Sequence, residues 1–518
     1  MLSRVMGLAR DVVFARVIGA DAFADVFFVA FKIPNFFRRL FAEGAFAQAF
    51  VPILGEYREK GSQAAVKELV NRVTGTLGIT LLGLTLVIIV ASPVMAAIFA
   101  PKWFFDEPDK FAATADMLRI TFPYLLFISM TGLAGGILNS YDRFAVPAFT
   151  PLLLNVTLIT AALVAAPLFD QPAFALAWGV FAAGVVQLMF QLPFLQRIHM
   201  LPRPKVDWQD AGVRKILALM GPAIFGVSVS QINLLLDTML ATFLPTGSVS
   251  WLYYSDRLAE LPLGVFAVAI ATVILPNLSR HHAADSQQAY SETLDWALKV
   301  VLIIAVPAAV ALTLLAEPIL VTLFYYGDVM TARDMSMATL SLRAYAIGLV
   351  AFMLIKVLAP GFFARQDMRT PVRIGVIAML SNMVLNLLFV VPLHYYWQIG
   401  HVGLATATSV SAFLNAGLLF IFLRKNGIYS PSGQWLKFAG RLIGSVVLMV
   451  LVLMVVADWL DVLNQTVWQQ LPWWQRSGNL VGLCTAGFVA YAGCLMATGF
   501  GIADMRGPAK ATTNNDAE

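Results

Sequence analysis

Apolar stretches of 20 or more residues recur from one end of this chain to the other. Each is long enough to cross about 30 Å of hydrocarbon as a helix. Backbone in lipid must satisfy its own N–H and C=O groups, so continuous apolar runs demand helices, whereas alternating ones would suit a closed barrel. These runs are continuous. The expected fold is an all-α polytopic membrane protein with about fourteen transmembrane helices, at 2–18, 22–41, 75–100, 118–140, 147–168, 173–196, 216–244, 251–276, 297–324, 338–362, 371–393, 401–423, 437–457 and 477–499. Composition agrees: 13% of the 518 residues are charged, where a soluble protein carries about 25%.

Basic residues set the orientation. Arg58, Lys60, Lys67 and Arg72 follow the second span, Arg197, Arg203, Lys205, Arg214 and Lys215 the sixth. Arg365, Arg369 and Arg373 follow the tenth, and Arg424, Lys425, Lys437 and Arg441 the twelfth. The opposite connections offer only Lys102, Lys110, Arg333 and Arg476. The positive-inside rule then places both termini in the cytoplasm. The first span is short and holds Arg4, Arg10, Asp11 and Arg16. Either it stays within protein, or a start codon upstream adds a leading turn. The second span is expected to break near Pro34 and Gly44, with a short returning helix at 45–56. Residues 501–518 read as a disordered tail.

An internal repeat runs through the chain. Gly44-x-Phe46-Ala47-x-Ala49 returns as Gly264-x-Phe266-Ala267-x-Ala269, Leu118-Arg119 as Leu342-Arg343, and Pro147 as Pro371. Leu176-Ala177 returns as Leu404-Ala405, and "FLQR" at 194 as "FLRK" at 422. Five matches in chain order at nearly constant offset imply two homologous six-helix lobes, 1–200 and 201–430, around a central cavity, with two added helices at 431–500. That is a transporter's plan.

Charge within a span is expensive and marks a pathway by default. Arg10, Arg38 and Arg257 are the best candidates for lining the cavity, with Arg4 beside them. Arginines in excess of carboxylates favour an anion with spread charge, and the guanidinium fork suits phosphate oxygens. The bland alternative is that arginines snorkel to headgroups or pair with Asp11, Asp25 and Glu43. A second polar group, Asp237, Asn382, Asn386 and Thr406, offers oxygen ligands for a hard cation such as sodium, or hydrogen bonds in a helix interface. Cys484 and Cys494 and the five histidines show no ligand spacing. The chain carries no Walker-type phosphate loop. Neither an enzyme nor a nucleic-acid partner is expected.

The segments "SRVMGLARDVVFARVIGADAFADVFFVAFKIPNFFRRLFAEGAFAQAFVPIL", "GSVSWLYYSDRLAELPLGVFAVAIATVILP" and "KVLAPGFFARQDMRTPV" closely resemble the MurJ (MviN) family, within the MOP exporter superfamily that includes the MATE transporters. The likeness runs from Ser3 to about Lys425. It implies a flippase that carries lipid II, the undecaprenyl-pyrophosphate-linked muropeptide, from the inner to the outer leaflet of the bacterial cytoplasmic membrane by alternating access. It also implies that residues 431–500 form a groove for the lipid tail. The substrate residues it implies are Arg4, Arg10, Asp25, Arg38, Glu43, Asp256 and Arg257. Some members hold sodium on spans 7, 11 and 12, where Asp237, Asn382, Asn386 and Thr406 fall; Asn386 departs from an acid there. Partners would be lipid II, membrane lipids and cell-wall synthesis (divisome) proteins, and the two-lobe plan permits a monomer. Two other readings are a flippase for another polyprenyl-linked glycan of the O-antigen type, and a MATE-like cation-coupled drug exporter.

Overall fold

The computed structural model describes residues 2–40, 46–326, 329–462, 464–501 and 504. Among these the regular structure is helical, without a strand. Packing divides the chain into two compact units, Met1–Tyr253 with Tyr326–Asp334, and Tyr254–Tyr325 with Met335–Glu518.

The first unit contains α1 (Leu2–Val17), α2 (Ala22–Phe37), α3 (Ala47–Lys60), α4 (Gln63–Val90), α5 (Ser92–Phe99), α6 (Pro101–Asp106), α7 (Pro108–Thr121), α8 (Tyr124–Ser140), α9 (Ala145–Thr160), α10 (Pro172–Arg197) and α11 (Ala211–Ala241). The first turns of α12 (Ser248–Pro262) also belong to it. One of its cores lies where α3, α4, α8 and the start of α11 meet, around Phe50, Leu54, Val70, Ile137 and Ile216. α11 packs on α2, α3, α4 and α5, which is why compactness places it here. The first unit therefore extends past the repeat boundary expected at 200.

The second unit holds α13 (Val268–Ala283), α14 (Gln287–Leu314), α15 (Ala316–Phe324), α16 (Ala332–Leu358, beginning in the first unit), α17 (Pro360–Phe363), α18 (Arg369–Trp397), α19 (Gly400–Lys425), α20 (Trp435–Trp459), α21 (Gln465–Gln470) and α22 (Trp473–Ala497). Its core runs through α13, α14, α16 and α19, with Ile274, Leu294, Val301, Leu349, Met353 and Leu423. α20 and α22 pack on each other, and α20 also on α14.

Among the described residues, ten helices or fused helix pairs are long and apolar enough to cross a membrane, and the bent pair Ser248–Phe266 and Ala269–Ala283 makes up to eleven. Their outward faces are apolar, as at Val90, Leu168 and Val455, which hydrocarbon solvates and water would not. This is a multi-pass membrane protein. Where described, each of the fourteen expected segments is mainly helical, though the count of fourteen spans is not reached. The shortfall from fourteen falls on α1 and α2, of 16 residues each, and on α11. The fourth span starts earlier than hydropathy suggests, because Pro108–Ser140 is one long helical stretch.

The second span does not break at Pro34. α2 runs through it to Phe37 and widens into a π-type turn at 38–40. Proline supplies no N–H to the carbonyl four residues back. That carbonyl, Ala30 O, instead accepts the Thr121 hydroxyl of α7 at 3.3 Å. Gly44 lies outside the described residues. The expected returning helix is α3. Phe46 lies in a π-type turn, and Phe266, its counterpart in the expected repeat, lies in the π-type segment Leu263–Ala267.

The connector from α10 to α11 is held along α4. Lys205 N–H donates to Asn71 O at 3.0 Å, Arg203 N–H to Asn71 Oδ1 at 2.7 Å, and Asp207 N–H to Thr76 Oγ1 at 3.1 Å. Gly75 lets the Lys205 backbone lie directly on α4, where any Cβ would collide with it. Arg72 pairs with Glu68, Asp207 and Asp210. Partial burial pushes the Asp210 carboxyl up, but the Val213 N–H and the Arg72 guanidinium outweigh it and hold the group below the usual carboxylate range.

Candidate functional site

The charged residues of α1, α2 and α12 do not form one uniform group. Arg10 is 6% exposed and thoroughly engaged. Its Nε and Nη2 donate to Asp11 Oδ1 at 2.9 and 2.6 Å, Nη1 to Asn155 Oδ1 at 3.1 Å, and Nη2 to the Tyr253 hydroxyl at 3.0 Å. The guanidinium also lies over the Phe14 ring, 5.4 Å from its centroid. Tyr253 in turn donates to Asp11 Oδ1 at 2.8 Å. Buried charge is tolerated only when paired and hydrogen-bonded, and α9 and α12 provide what α1 alone lacks. Arg4 stands exposed on the same helix, six residues before Arg10.

Asp25 is buried near the start of α2 and acts on α12. Its Oδ2 accepts the Gly247 N–H at 2.7 Å, and its Oδ1 accepts the Ser250 N–H at 2.9 Å and hydroxyl at 2.6 Å. The first N–H groups of a helix have no partner within it. An N-cap side chain normally satisfies the third, but position 247 is a glycine with φ +95° and has no side chain. The Trp251 ring fills the space a Cβ would need. Asp25 is thus the cap of α12, delivered from α2. The same turn is tied by Lys102 to Phe243 O at 3.1 Å and by Lys110 to Thr246 Oγ1 at 2.7 Å.

Arg38, half-buried in the π-type turn, donates through Nε to Asn35 Oδ1 at 3.1 Å. Arg39 reaches Gln231 Oε1 of α11 at 3.4 Å, and Lys32 reaches Thr238 Oγ1 at 3.1 Å. Glu43 lies outside the described residues. On α12, half-buried Asp256 and Arg257 follow Tyr253 by three and four residues, and Arg257 donates to Glu260 Oε2 at 3.1 Å.

The expected cation ligands divide. Asn382 and Asn386 are buried in α18, with Asn386 Nδ2 on Asn382 Oδ1 at 3.0 Å. Asn382 Nδ2 approaches the hydroxyls of Thr408 and Ser411 on α19, both at 3.5 Å. Thr406 donates to its own helix, at Val402 O, 2.8 Å away. Asp237 is half-buried on α11, in the first unit. Among the described residues no three His, Cys, Asp or Glu side chains gather as a metal group. The α18–α19 group is therefore oxygen-rich and neutral, which suits a hard cation in donor type.

The profile described as "Lipid II flippase MurJ" matches residues 14–471, most of the chain. The chain belongs to the MurJ family. Relatives named as probable MurJ lipid II flippases share 48% identity in Vibrio cholerae, over 98% of this chain and 95% of the relative, and 47% in Haemophilus influenzae, over 96% and 98%. A protein named lipid II flippase MurJ in Burkholderia cenocepacia is 45% identical over 86% of each chain. A solved MurJ structure in an inward closed conformation shares the fold, with TM-score 0.77 and 24% identity over 95% of this chain and 96% of that one. An inward-facing MATE multidrug transporter of the MOP superfamily matches with TM-score 0.69 and 15% identity, over 82% of this chain and 94% of that one. The arginines of α1, α2 and α12 are thus set in a fold shared with MATE transporters. Sequence reasoning singled out neither Tyr253 nor Asn155. The available signal was a lone asparagine in the apolar run "PLLLNVTL" and a tyrosine one helical turn before Asp256-Arg257.

Proposed function

We propose that this protein carries lipid II from the inner to the outer leaflet of the bacterial inner membrane for peptidoglycan synthesis. The observation that carries this reading is near-full-length identity of 48% to a relative named as a probable lipid II flippase. Arginines set in otherwise apolar helices add the chemistry, because a diphosphate on a prenyl chain needs directional cationic donors beside lipid.

In this proposal Arg4, Arg10, Arg38 and Arg257 receive the pyrophosphate. Asp25, Glu43 and Asp256 are the acidic positions of the same proposed substrate site, and Asp25 also seats the start of α12. No covalent step is involved: the protein alternates between access to one leaflet and the other while the prenyl chain stays in lipid. The six-helix halves 1–200 and 201–430 are the repeated units, 431–500 serves the lipid tail and both termini face the cytoplasm; the expected tail at 501–518 lies almost wholly outside the described residues. Of the residues expected to hold sodium (Asn382, Asn386, Thr406 and Asp237), only the α18 pair Asn382 and Asn386 is kept for an ion that would supply a driving gradient. The protein acts as a monomer and works beside cell-wall synthesis proteins.

The test uses cells whose own lipid II flippase can be switched off. Lipid II exposed on the outer leaflet is quantified after this chain is expressed. Restoration by wild type, lost in Arg10→Ala at equal membrane level, is expected. Good insertion without restoration refutes the reading and points to another polyprenyl-linked glycan.

A further inference from the structure

Adjacent residues on a helix diverge by about 100°, yet Arg10 and Asp11 of α1 are hydrogen-bonded to each other. A neighbouring pair of this kind needs outside points to hold its plane. Tyr253 is one: its hydroxyl accepts from Arg10 Nη2 and donates to Asp11 Oδ1, closing a ring of three groups. Its own ring is stacked on Phe28, with centroids 3.9 Å apart and planes 22° apart. Asn155 is the other. Its Oδ1 accepts from Arg10 Nη1, while its Nδ2 is tied to Ser3 O at 3.0 Å and Pro151 O at 3.4 Å. Neither polar tip can rotate away without losing a second bond, and both residues are 5% exposed.

We infer that Tyr253 and Asn155 are positioning residues for Arg10, fixing the plane in which its guanidinium meets a pyrophosphate. This rests on the substrate class proposed above. A guanidinium binds phosphate oxygens as a planar fork, so its orientation matters as much as its charge. Tyr253 also makes the Arg10–Asp11 pair sensitive to α12, because its hydroxyl is a direct link from that helix to α1.

The test uses the full chain in nanodiscs of phosphatidylethanolamine and phosphatidylglycerol, titrated with undecaprenyl pyrophosphate, and transport kinetics in liposomes of the same lipids. Tyr253→Phe, which keeps the ring on Phe28, and Asn155→Leu are each expected to weaken binding about tenfold. KM should rise while kcat changes less than twofold. Asn155→Asp keeps an acceptor for Nη1 but loses both bonds made by Nδ2, so it should bind more tightly than Asn155→Leu and less tightly than wild type. Wild-type affinity in Tyr253→Phe and Asn155→Leu overturns the inference. So does a fall in kcat alone, or an Asn155→Asp variant that binds no better than Asn155→Leu, since a purely structural role predicts those. If wild type itself fails to bind the probe, the substrate reading falls and the inference with it.

Discussion

Removing the carboxylate of Asp25 should loosen the start of α12 specifically, and by a measurable amount. The group accepts two backbone N–H donors and one hydroxyl, at 2.6 to 2.9 Å. A buried donor left without an acceptor costs about 1–3 kcal/mol. Asp25→Ala orphans the Gly247 and Ser250 amides together, so opening of the turn should become easier by about 3 kcal/mol. At about 1.4 kcal/mol per factor of ten, that is roughly a hundredfold. Asp25→Asn keeps one carbonyl acceptor but loses the other, for about 1–2 kcal/mol. Ser250→Ala removes the hydroxyl bond alone, for about 1 kcal/mol. Amide hydrogen exchange in detergent micelles, resolved to residues 246–251, reads the series directly. Exchange should accelerate most in Asp25→Ala, less in Asp25→Asn and least in Ser250→Ala, with α8 to α10 unchanged. Less than a threefold change in Asp25→Ala, or an equal change throughout the first unit, would refute the capping argument.

Asp295 accepts from Lys299 Nζ, Tyr429 OH, Ser432 N–H and hydroxyl, and Trp435 Nε1. Asp295→Ala should therefore lower stability by about 3–5 kcal/mol, the loss typical of breaking a buried charged network. Protease nicking near 426–434 would report it first. Thr121→Val should leave Ala30 O without its donor and cost about 1 kcal/mol. Pro34→Ala, which restores the N–H, should largely cancel that cost in a thermal-unfolding double-mutant cycle. Asp210 has a folded pKa below its unfolded one, so its contribution is complete above about pH 4 and is lost as pH falls through the folded value. Protection of amides 203–210, taken relative to the intrinsic exchange rate at each pH, should fall on acidification, and Asp210→Asn should flatten that dependence. If net positive charge moves with the substrate site, transport should respond to membrane potential by about 2.3 kcal/mol per charge per 100 mV. Rates unchanged after the potential is dissipated would argue against it.

Length and apolarity of the runs were enough to set the class of the fold, because backbone in lipid has only two ways to satisfy itself and the runs are not alternating. The charged spans were also legible locally, and the motif that Phe46 and Phe266 share falls on a widened turn in both places. Arg10 and Asp25 stood out because charge in an apolar run is conspicuous. Their partners were not readable, since Asn155 is 145 residues from Arg10 and Gly247 is 222 from Asp25. No local pattern encodes such pairings. Only the packed chain shows that Asp25 caps a helix, that Pro34 passes without a break because Thr121 serves Ala30 O, and that α11 packs among the helices of the first half. Hydropathy reports what each segment can do alone, whereas those outcomes depend on which buried donor finds which acceptor, and that is settled by tertiary packing.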